Sequence, residues 1–585
     1  MEVLFVNGME LTKSGNATPH IGQIILKNII SEKYDTEILS FDNLVAKGEF
    51  DINKTPDDLI DEMAEVILEK KPEVVGFYTI CNTFHMVVAV SEVIRKRNRD
   101  IFIFYGGPHA TLTAKECLET FDFVDLICLG ESEKSILPLM DEIFGKRDFS
   151  SVPGVSYRYG NEIRQNPCAP LLADDELTNY TQYDLGEILK HKDARVMIEG
   201  GRGCPFQCTF CSTSRFWKRQ FRVKPVPVLI SEMDKYYEMY GIRSFSIQHD
   251  MFTANRKHLV SFCNSLIEKG SPYVWRCSSR VDVLDHEVIE LMKRSGCLEI
   301  YLGIETGSER MQKVIKKNLN LDNAMDMITF MIRQGIVPTV SFIYGYPDET
   351  IEDYEKTLTM LRKVFLTGKA TVQLHKFFPL PATEEADKIA DRAYFDFEKV
   401  DLSIFNRAVC GKRCKDLIRQ NKELFLQFYT FDSEVRIKYP YIESVVMLLS
   451  MFAGRFYMTL YQIMNKYEIH DIYKKYEDDF EMLFFKYYEL VTQSELLDKL
   501  EIVLKKIVDN EHNDGWSDLF RFEKAVFDYT ASGKKEVVVM DFDNDIMTYL
   551  RSGNVVKEPT RLMLMREENG GIKLKRVPVN VSFIA

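Results

Sequence analysis

Three cysteines stand close together in the run Gly200-Gly201-Arg202-Gly203-Cys204-Pro205-Phe206-Gln207-Cys208-Thr209-Phe210-Cys211-Ser212. Their spacing is C-x3-C-x2-C, inside a glycine-flanked loop that follows a β-like run, Val196 to Glu199. Iron–sulfur clusters are held by thiolates, and a 4Fe–4S cube normally takes four of them. Three local thiolates at Cys204, Cys208 and Cys211 leave one iron open to a substrate or cofactor. A structural zinc site pairs C-x2-C with a second, distant pair. The nearest such pair, Cys410 and Cys414, has a different spacing. A ferredoxin-type site needs a fourth cysteine nearby, and none follows Cys211 until Cys263.

The elements that must position this loop are strands alternating with helices. Across residues 193–390 the expected strands are Val196–Glu199, Ser244–Gln248, Val274–Cys277, Glu299–Gly303, Thr339–Tyr344 and Thr371–Phe377. Six strands in βα rhythm predict a partial (βα)6 TIM-like barrel, with chemistry at the carboxyl ends of its strands. Polar residues stand there: Gln248 and Asp250, Ser278 and Arg280, Glu305, and the run Gly345-Tyr346-Pro347-Asp348-Glu349-Thr350. Singly, each also fits a turn former, a salt bridge or a helix cap.

Residues 1–150 alternate apolar runs (Val3–Val6, Glu37–Leu39, Val74–Tyr78, Ile101–Tyr105, Leu126–Leu129) with amphipathic segments such as Leu59–Glu69 and Met86–Arg97. That pattern predicts an α/β domain on a doubly wound, Rossmann-like parallel sheet, with ligands bound outside the strands' carboxyl ends. Small and polar residues occupy those loops: Gly15 and Asn16, Thr79 with Cys81 and Asn82, Gly106-Gly107-Pro108-His109, and Gly130-Glu131. No G-x-G-x-x-G follows the first strand, which argues against a dinucleotide.

Bulk properties narrow the class. The chain has 585 residues, too many for one core, and 45% hydrophobic and 28% charged residues, ordinary for a globular protein. A net charge of −13 makes nucleic acid an unlikely partner. The start, Met1-Glu2-Val3-Leu4-Phe5, runs directly into a strand rather than a leader. The apolar stretch Ser444–Gly454 is 11 residues long, and a membrane span needs about 20. The 12 cysteines are dispersed, so reduced thiols in the cytoplasm are expected.

The cysteine spacing, with Phe210 before the last cysteine, resembles the signature of radical S-adenosylmethionine (SAM) enzymes. The runs Tyr301-Leu302-Gly303-Ile304-Glu305-Thr306-Gly307-Ser308 and Phe342-x-x-Gly345-x-Pro347-x-Glu349-Thr350 resemble that superfamily's SAM-binding strand ends. The resemblance implies a 4Fe–4S cluster on the three cysteines. It implies SAM contacts at Phe210, Gln248, Asp250, Ser278, Arg280, Glu305, Tyr344 and Gly345. The glycine-glycine-glutamate that many relatives carry after the second strand is here Gln248-His249-Asp250.

The N-terminal loops, upstream of such a signature, resemble the cobalamin-binding domain that precedes many radical SAM cores. This implies cobalamin contacts at Gly15, Asn16, Thr79, Cys81, Asn82, Gly106, Gly107, His109, Gly130 and Glu131. The D-x-H-x-x-G motif, whose histidine ligates cobalt in other cobalamin proteins, is absent.

The resembling methyltransferases transfer a methyl group from methylcobalamin to a substrate radical made by a deoxyadenosyl radical. C-methylation of an unactivated carbon is therefore the expected activity. Oxidative cyclisation or rearrangement without methyl transfer is the alternative, with a methylthiotransferase or a non-catalytic cluster or corrinoid carrier behind it. Expected partners are an organic substrate (peptide, lipid, sugar or tetrapyrrole) and a one-electron reductant such as flavodoxin or ferredoxin.

Residues 151–192 read as a connector, with Val155–Tyr157 as an edge strand or hairpin. Residues 391–585 read as a mainly helical extension, of the kind that caps the substrate site in some relatives, in which Leu424–Tyr429 and Phe484–Tyr488 are expected to be helical. They end in strands Glu536–Phe542, Arg561–Met565 and Ile572–Lys575, with a turn at Asn569-Gly570-Gly571. Cys410 and Cys414 would share a helix face, as free thiols or half of an auxiliary cluster site.

Overall fold

A computed structural model describes residues 1–11, 20–177, 195–397, 410–488, 493–511, 515–533, 537–552, 555–567 and 571–578. Gly15, Asn16, Asn569 and Gly570 lie outside these residues, as do parts of the connector and of the C-terminal extension. The chain divides into two compact units: Met1–Tyr354 with His375–Lys438, and Glu355–Leu374 with Tyr439–Ala585.

The first unit contains the N-terminal sheet. Its strands are β1 (Val3–Asn7), β2 (Thr36–Ser40), β3 (Val74–Tyr78), β4 (Phe102–Gly106), β5 (Leu126–Cys128), β6 (Val155–Tyr159) and β7 (Glu162–Gln165), in the order β2-β1-β3-β4-β5-β6-β7. The first five run parallel, while β6 and β7 form an antiparallel hairpin on the edge. β1 is apolar up to its last residue and buried along its whole length, as a strand covered on both faces must be. The order reverses between β1 and β3, and ligands of such sheets bind at that switch point.

Helix ends follow local chemistry. The helix Pro56–Glu69 starts on Thr55, whose hydroxyl accepts from Asp58 N, with proline at its first position and Asp57 and Asp58 in its first turn.

The second sheet uses β8 (Arg195–Glu199), then a short antiparallel pair, β9 (Gly201–Arg202) with β10 (Arg222–Val223), set beside it. It continues with β11 (Ser244–Gln248), β12 (Val274–Ser279), β13 (Cys297–Glu305), β14 (Val337–Tyr344) and β15 (Thr371–Lys376), in the order β15-β14-β13-β12-β11-β8. Strands β8 and β11 to β14 pair in parallel. Ser278 lies inside β12 rather than after it, because this strand runs on to Ser279. Glu305 is the last residue of β13.

Lys422–Leu424 and Leu426–Phe428 form single 3-10 turns, not the expected helix. Phe425 packs on Phe84 with ring centroids 5.2 Å apart, and Phe428 meets His85 at 5.1 Å. Burying two neighbouring aromatics on one surface overrides helical periodicity here.

In the second unit the helix Glu443–Lys466 is interrupted at Phe456 (φ −129°). The break leaves backbone N–H groups unpaired, and Glu523 accepts from Met458 N at 2.7 Å and Thr459 N at 2.9 Å. Phe456 stacks on Phe520 beside it, at 4.8 Å. By length and composition alone this helix is apolar enough to cross a membrane, but half of its most apolar window is buried inside the fold. A three-stranded antiparallel sheet follows: β16 (Val538–Phe542), β17 (Thr560–Arg566) and β18 (Ile572–Val577).

Candidate functional site

The cysteine loop is strung between β9 and β10. Gly203 has φ +84°, and a Cβ there would lie 1.9 Å from the Gln220 carbonyl oxygen, so this backbone crossing requires glycine. Gly203 N donates to Asp250 Oδ2 at 3.0 Å, which fixes the residue before Cys204 to the end of β11. Farther along, Thr209 N donates to Ile315 O at 3.1 Å and Thr209 Oγ1 to Glu385 Oε1 at 2.8 Å. The loop is thus held at one end by Asp250, just after β11, and at the other by Ile315, which closes the helix Glu309–Val314, and by Glu385 of the helix Glu384–Asp387.

Burial pushes the Cys204 thiol up to about 11 and also raises that of Cys208, where Lys317 and Arg280 pull the other way. Arg280 Nη1 donates to Cys208 Sγ at 3.7 Å, and its guanidinium lies 3.8 Å from the Phe206 ring centroid. Fixed cations beside a thiol favour the thiolate that an iron requires. Among the described residues no three His, Cys, Asp or Glu side chains converge on a single ion. A cubane places each thiolate on a separate iron, so the donor set and its spacing fit a cluster rather than a lone ion.

Between the carboxyl ends of the two sheets lies a cavity of about 790 Å³. That is towards the upper end of the roughly 300–1,000 Å³ usual for ligand and cofactor sites. One wall carries Gly107 and Gly130; the other carries Gln248, Asp250 and Ser278. Gly107 has φ +99°, and a Cβ there would sit 2.6 Å from Thr79 O. Deeper in, a Cβ on Gly76 would strike the Phe104 ring at 2.4 Å. Bare backbone along the mouth and floor suits close approach of a large, flat group.

The family model described as Radical SAM superfamily matches residues 198–361, and that described as B12 binding domain matches residues 11–137. The chain carries a radical SAM domain and a B12-binding domain.

An uncharacterized methyltransferase of Pyrococcus horikoshii is 28% identical over 353 residues, 60% of this chain and 74% of that protein. An anaerobic magnesium-protoporphyrin IX monomethyl ester cyclase of Rubrivivax gelatinosus is 27% identical over 352 residues, 58% of this chain and 62% of its own length. The radical S-adenosylmethionine methyltransferase TsrM of Kitasatospora setae, solved with cobalamin and a [4Fe-4S] cluster, shares the fold. Its TM-score is 0.55 at 16% identity, covering 67% of this chain and 75% of that one.

Within the radical SAM domain, the expected SAM contacts fall into two groups. Gln248, Asp250 and Ser278 face the cavity. Phe210, Arg280, Glu305, Tyr344 and Gly345 do not line it. Phe210 packs edge-on against Tyr346 at 5.9 Å. Arg280 is committed to Asp282, at 3.0 and 2.9 Å, and to Lys317 O at 2.6 Å. Glu305, at φ +69°, pairs with Lys317 at 2.7 Å. Tyr344 stacks on Tyr354 at 5.2 Å. Gly345, at φ +76°, donates its N–H to Glu349 Oε2 at 2.5 Å and accepts from Arg436 Nε at 3.0 Å. Phe210 belongs to the cysteine loop and Arg280 reaches its Cys208, at 3.7 Å, away from the large cavity.

In the B12-binding domain, Gly106, Gly107, Gly130 and Glu131 line the cavity. Thr79, Cys81, Asn82 and His109 do not. Thr79 Oγ1 bridges Gly106 O and Ala110 N, so it braces the glycine loop from behind. The Cys81 carbonyl accepts from Gln427, and Asn82 Nδ2 donates to Glu10 at 2.7 Å. His109 is turned inward: its ring lies 4.1 Å from that of Phe84 and its Nε2 meets Leu424 O at 3.0 Å. Burial holds it down near 4, a neutral core histidine.

Sequence reasoning missed an ion-pair network at the cavity wall. Arg202, which lines the cavity, meets Glu131 at 2.8 Å, Glu133 at 2.6 Å and Glu199 at 2.7 Å. Arg222 reaches Glu131 at 2.7 Å, and Lys224 reaches Glu232 at 2.9 Å. Cations at Arg202 and Arg222 on two very short strands, with Lys224 directly after the second, were the available signal, since such charges are buried only when paired. His20, Tyr78 and Trp217 also line the cavity and were not singled out. Cys410 and Cys414 are neighbours, both buried.

Proposed function

We propose that this chain is a cobalamin-dependent radical SAM methyltransferase acting on an unactivated carbon. The observation that carries this reading is the single cavity shared by the glycine-lined ends of the B12-binding sheet and the strand ends beside the cysteine loop. When bound, the cluster with SAM supplies hydrogen-atom abstraction and cobalamin supplies a methyl carrier.

The chain's own residues hold and shield. Cys204, Cys208 and Cys211 would ligate the cluster, and Arg280 stands beside Cys208 to favour its thiolate. Phe210, Glu305, Tyr344 and Gly345 shape the SAM side of the loop, while Gln248, Asp250 and Ser278 face the shared volume. Gly106, Gly107, Gly130 and Glu131 would border the corrinoid. An organic substrate and a one-electron reductant such as flavodoxin or ferredoxin complete the cycle, in the cytoplasm where twelve unbridged cysteines stay reduced. Methyltransferases are named both among the sequence relatives and among the fold relatives, which supports methylation; the cyclase of Rubrivivax gelatinosus keeps ring formation as the second reading.

The test is anaerobic incubation of the reconstituted protein with SAM and reductant, with deoxyadenosine and S-adenosylhomocysteine quantified. Both products, lost in Cys204→Ala, Cys208→Ala and Cys211→Ala, support the methyltransferase. Deoxyadenosine without S-adenosylhomocysteine, with corrinoid retained, transfers support to cyclisation. Unchanged deoxyadenosine in the cysteine variants overturns the cluster assignment.

A further inference from the structure

The D-x-H-x-x-G histidine is absent, yet one imidazole faces the cavity from the B12-binding side. His20 immediately precedes the helix Ile21–Ile30, and its ring lies on that of Tyr78, centroids 3.7 Å apart at 40°. Both rings line the cavity. Tyr78 ends β3, and His20 closes the connection leaving β1, so the pair flanks the switch point of the sheet.

Six other polar side chains on that wall are engaged. Asn7 Nδ2 is bound to Gln23 Oε1 at 2.6 Å, and Gln23 Nε2 reaches Val6 O at 3.1 Å. Glu10 holds Asn82, and Asp42 accepts from Leu11 N at 2.8 Å. Glu131 and Glu133 are paired with Arg202. Neither nitrogen of His20 has a hydrogen-bond partner among the described residues. Its stack on Tyr78 fixes the ring plane, and its lone pair is the donor that cobalt and other transition metals accept from proteins. His249, the other imidazole at the cavity, belongs to the opposite wall and packs flat on Phe221 at 4.9 Å.

We propose that His20 is an axial ligand to the cobalt of a bound corrinoid, supplied from a position outside the usual motif. The inference rests on the corrinoid reading above. It is tested by electron paramagnetic resonance of the Co(II) form of the cobalamin-loaded full-length protein. Wild type is expected to show a nitrogen superhyperfine triplet that becomes a doublet when the protein carries ¹⁵N-histidine. His20→Ala and His20→Gln should lose the doublet, and His249→Ala should keep it.

A triplet indifferent to the label identifies the corrinoid's own benzimidazole and overturns the proposal. So does retained corrinoid without nitrogen splitting, or a doublet that survives both His20 substitutions. If the His20 variants release the corrinoid, the labelled wild-type doublet combined with its persistence in His249→Ala upholds the assignment. Wild type that retains no corrinoid overturns the corrinoid reading itself, a result separate from every other outcome.

Discussion

Arg202 Nη1 meets Glu131 Oε1 at 2.8 Å across 71 residues of sequence, and both side chains are more than nine-tenths buried. This pair ties the loop after β5 of the B12-binding sheet to the hairpin that opens the cysteine loop. Arg202 is two residues from Cys204, so the contact links the wall beside the proposed corrinoid directly to the proposed cluster. Breaking one side of a buried pair leaves an uncompensated charge, at a cost of about 3–5 kcal/mol. Arg202→Met should lower unfolding stability by that order in a denaturant titration. In the double variant with Glu131→Gln the loss should be smaller than the sum of the two single losses, because neutralising Glu131 removes part of the stranded charge. Additive losses would show that the two residues act independently.

Gly203→Ala tests the crossing over Gln220. Left-handed backbone costs a non-glycine residue about 1–3 kcal/mol, and the 1.9 Å approach adds a backbone collision that no rotamer relieves. The variant should fold its sheets normally, by circular dichroism, yet bind far less iron and sulfide than wild type after anaerobic reconstitution. Wild-type iron content in this variant would mean that the loop has another way to pass Gln220.

Gly107→Val should separate the two cofactors. Its side chain would project onto Thr79 at the glycine-lined mouth, with φ +99° already unfavourable to a β-branched residue. Corrinoid retention, read by absorbance after desalting, should fall steeply, while iron content should remain that of wild type. Equal loss of both would mean that the substitution unfolds the first unit rather than blocking one site.

Periodicity made much of this architecture legible. Val74–Tyr78 and Ser244–Gln248 are strands with the expected bounds: the first is a continuous apolar run, and in the second Phe245 and Ile247 alternate with polar residues. The cysteine run was legible as a loop because glycines flank it, while the cluster proposed for it rests on the spacing of its thiols. His109 was not: the same G-G-P-H run could face a ligand or the core, and the choice depends on Phe84 and the Leu424 carbonyl, which are remote in sequence. The Arg202 network was hidden for the same reason, since nothing near Arg202 announces that Glu131 will be its partner. Leu424–Tyr429 misled because its aromatic density reflects packing on Phe84 and His85, not a helix face.

Glu349 gives the fold a pH dependence whose sign can be worked out. Burial pushes its carboxyl from 4.5 up to about 8, the Asp353 carboxylate adds to the rise, and the Gly345 and Tyr346 N–H groups and Arg436 oppose it. Below about 4.5 the side chain is protonated in both folded and unfolded chains, and its contribution is fully present. Between there and about 8 the unfolded chain ionises while the folded one keeps its proton, so unfolding releases a proton and stability falls as pH rises. The slope from this one group is at most about 1.4 kcal/mol per pH unit. Glu349→Gln keeps an acceptor for Gly345 N but cannot titrate. Denaturant titrations from about pH 5 to about pH 8 should therefore show wild type losing more stability than the variant. The difference between the two curves isolates Glu349 from every other titrating group. Parallel curves would mean that Glu349 gains or loses its proton equally in both states, and that solvent reaches it beneath Gly345.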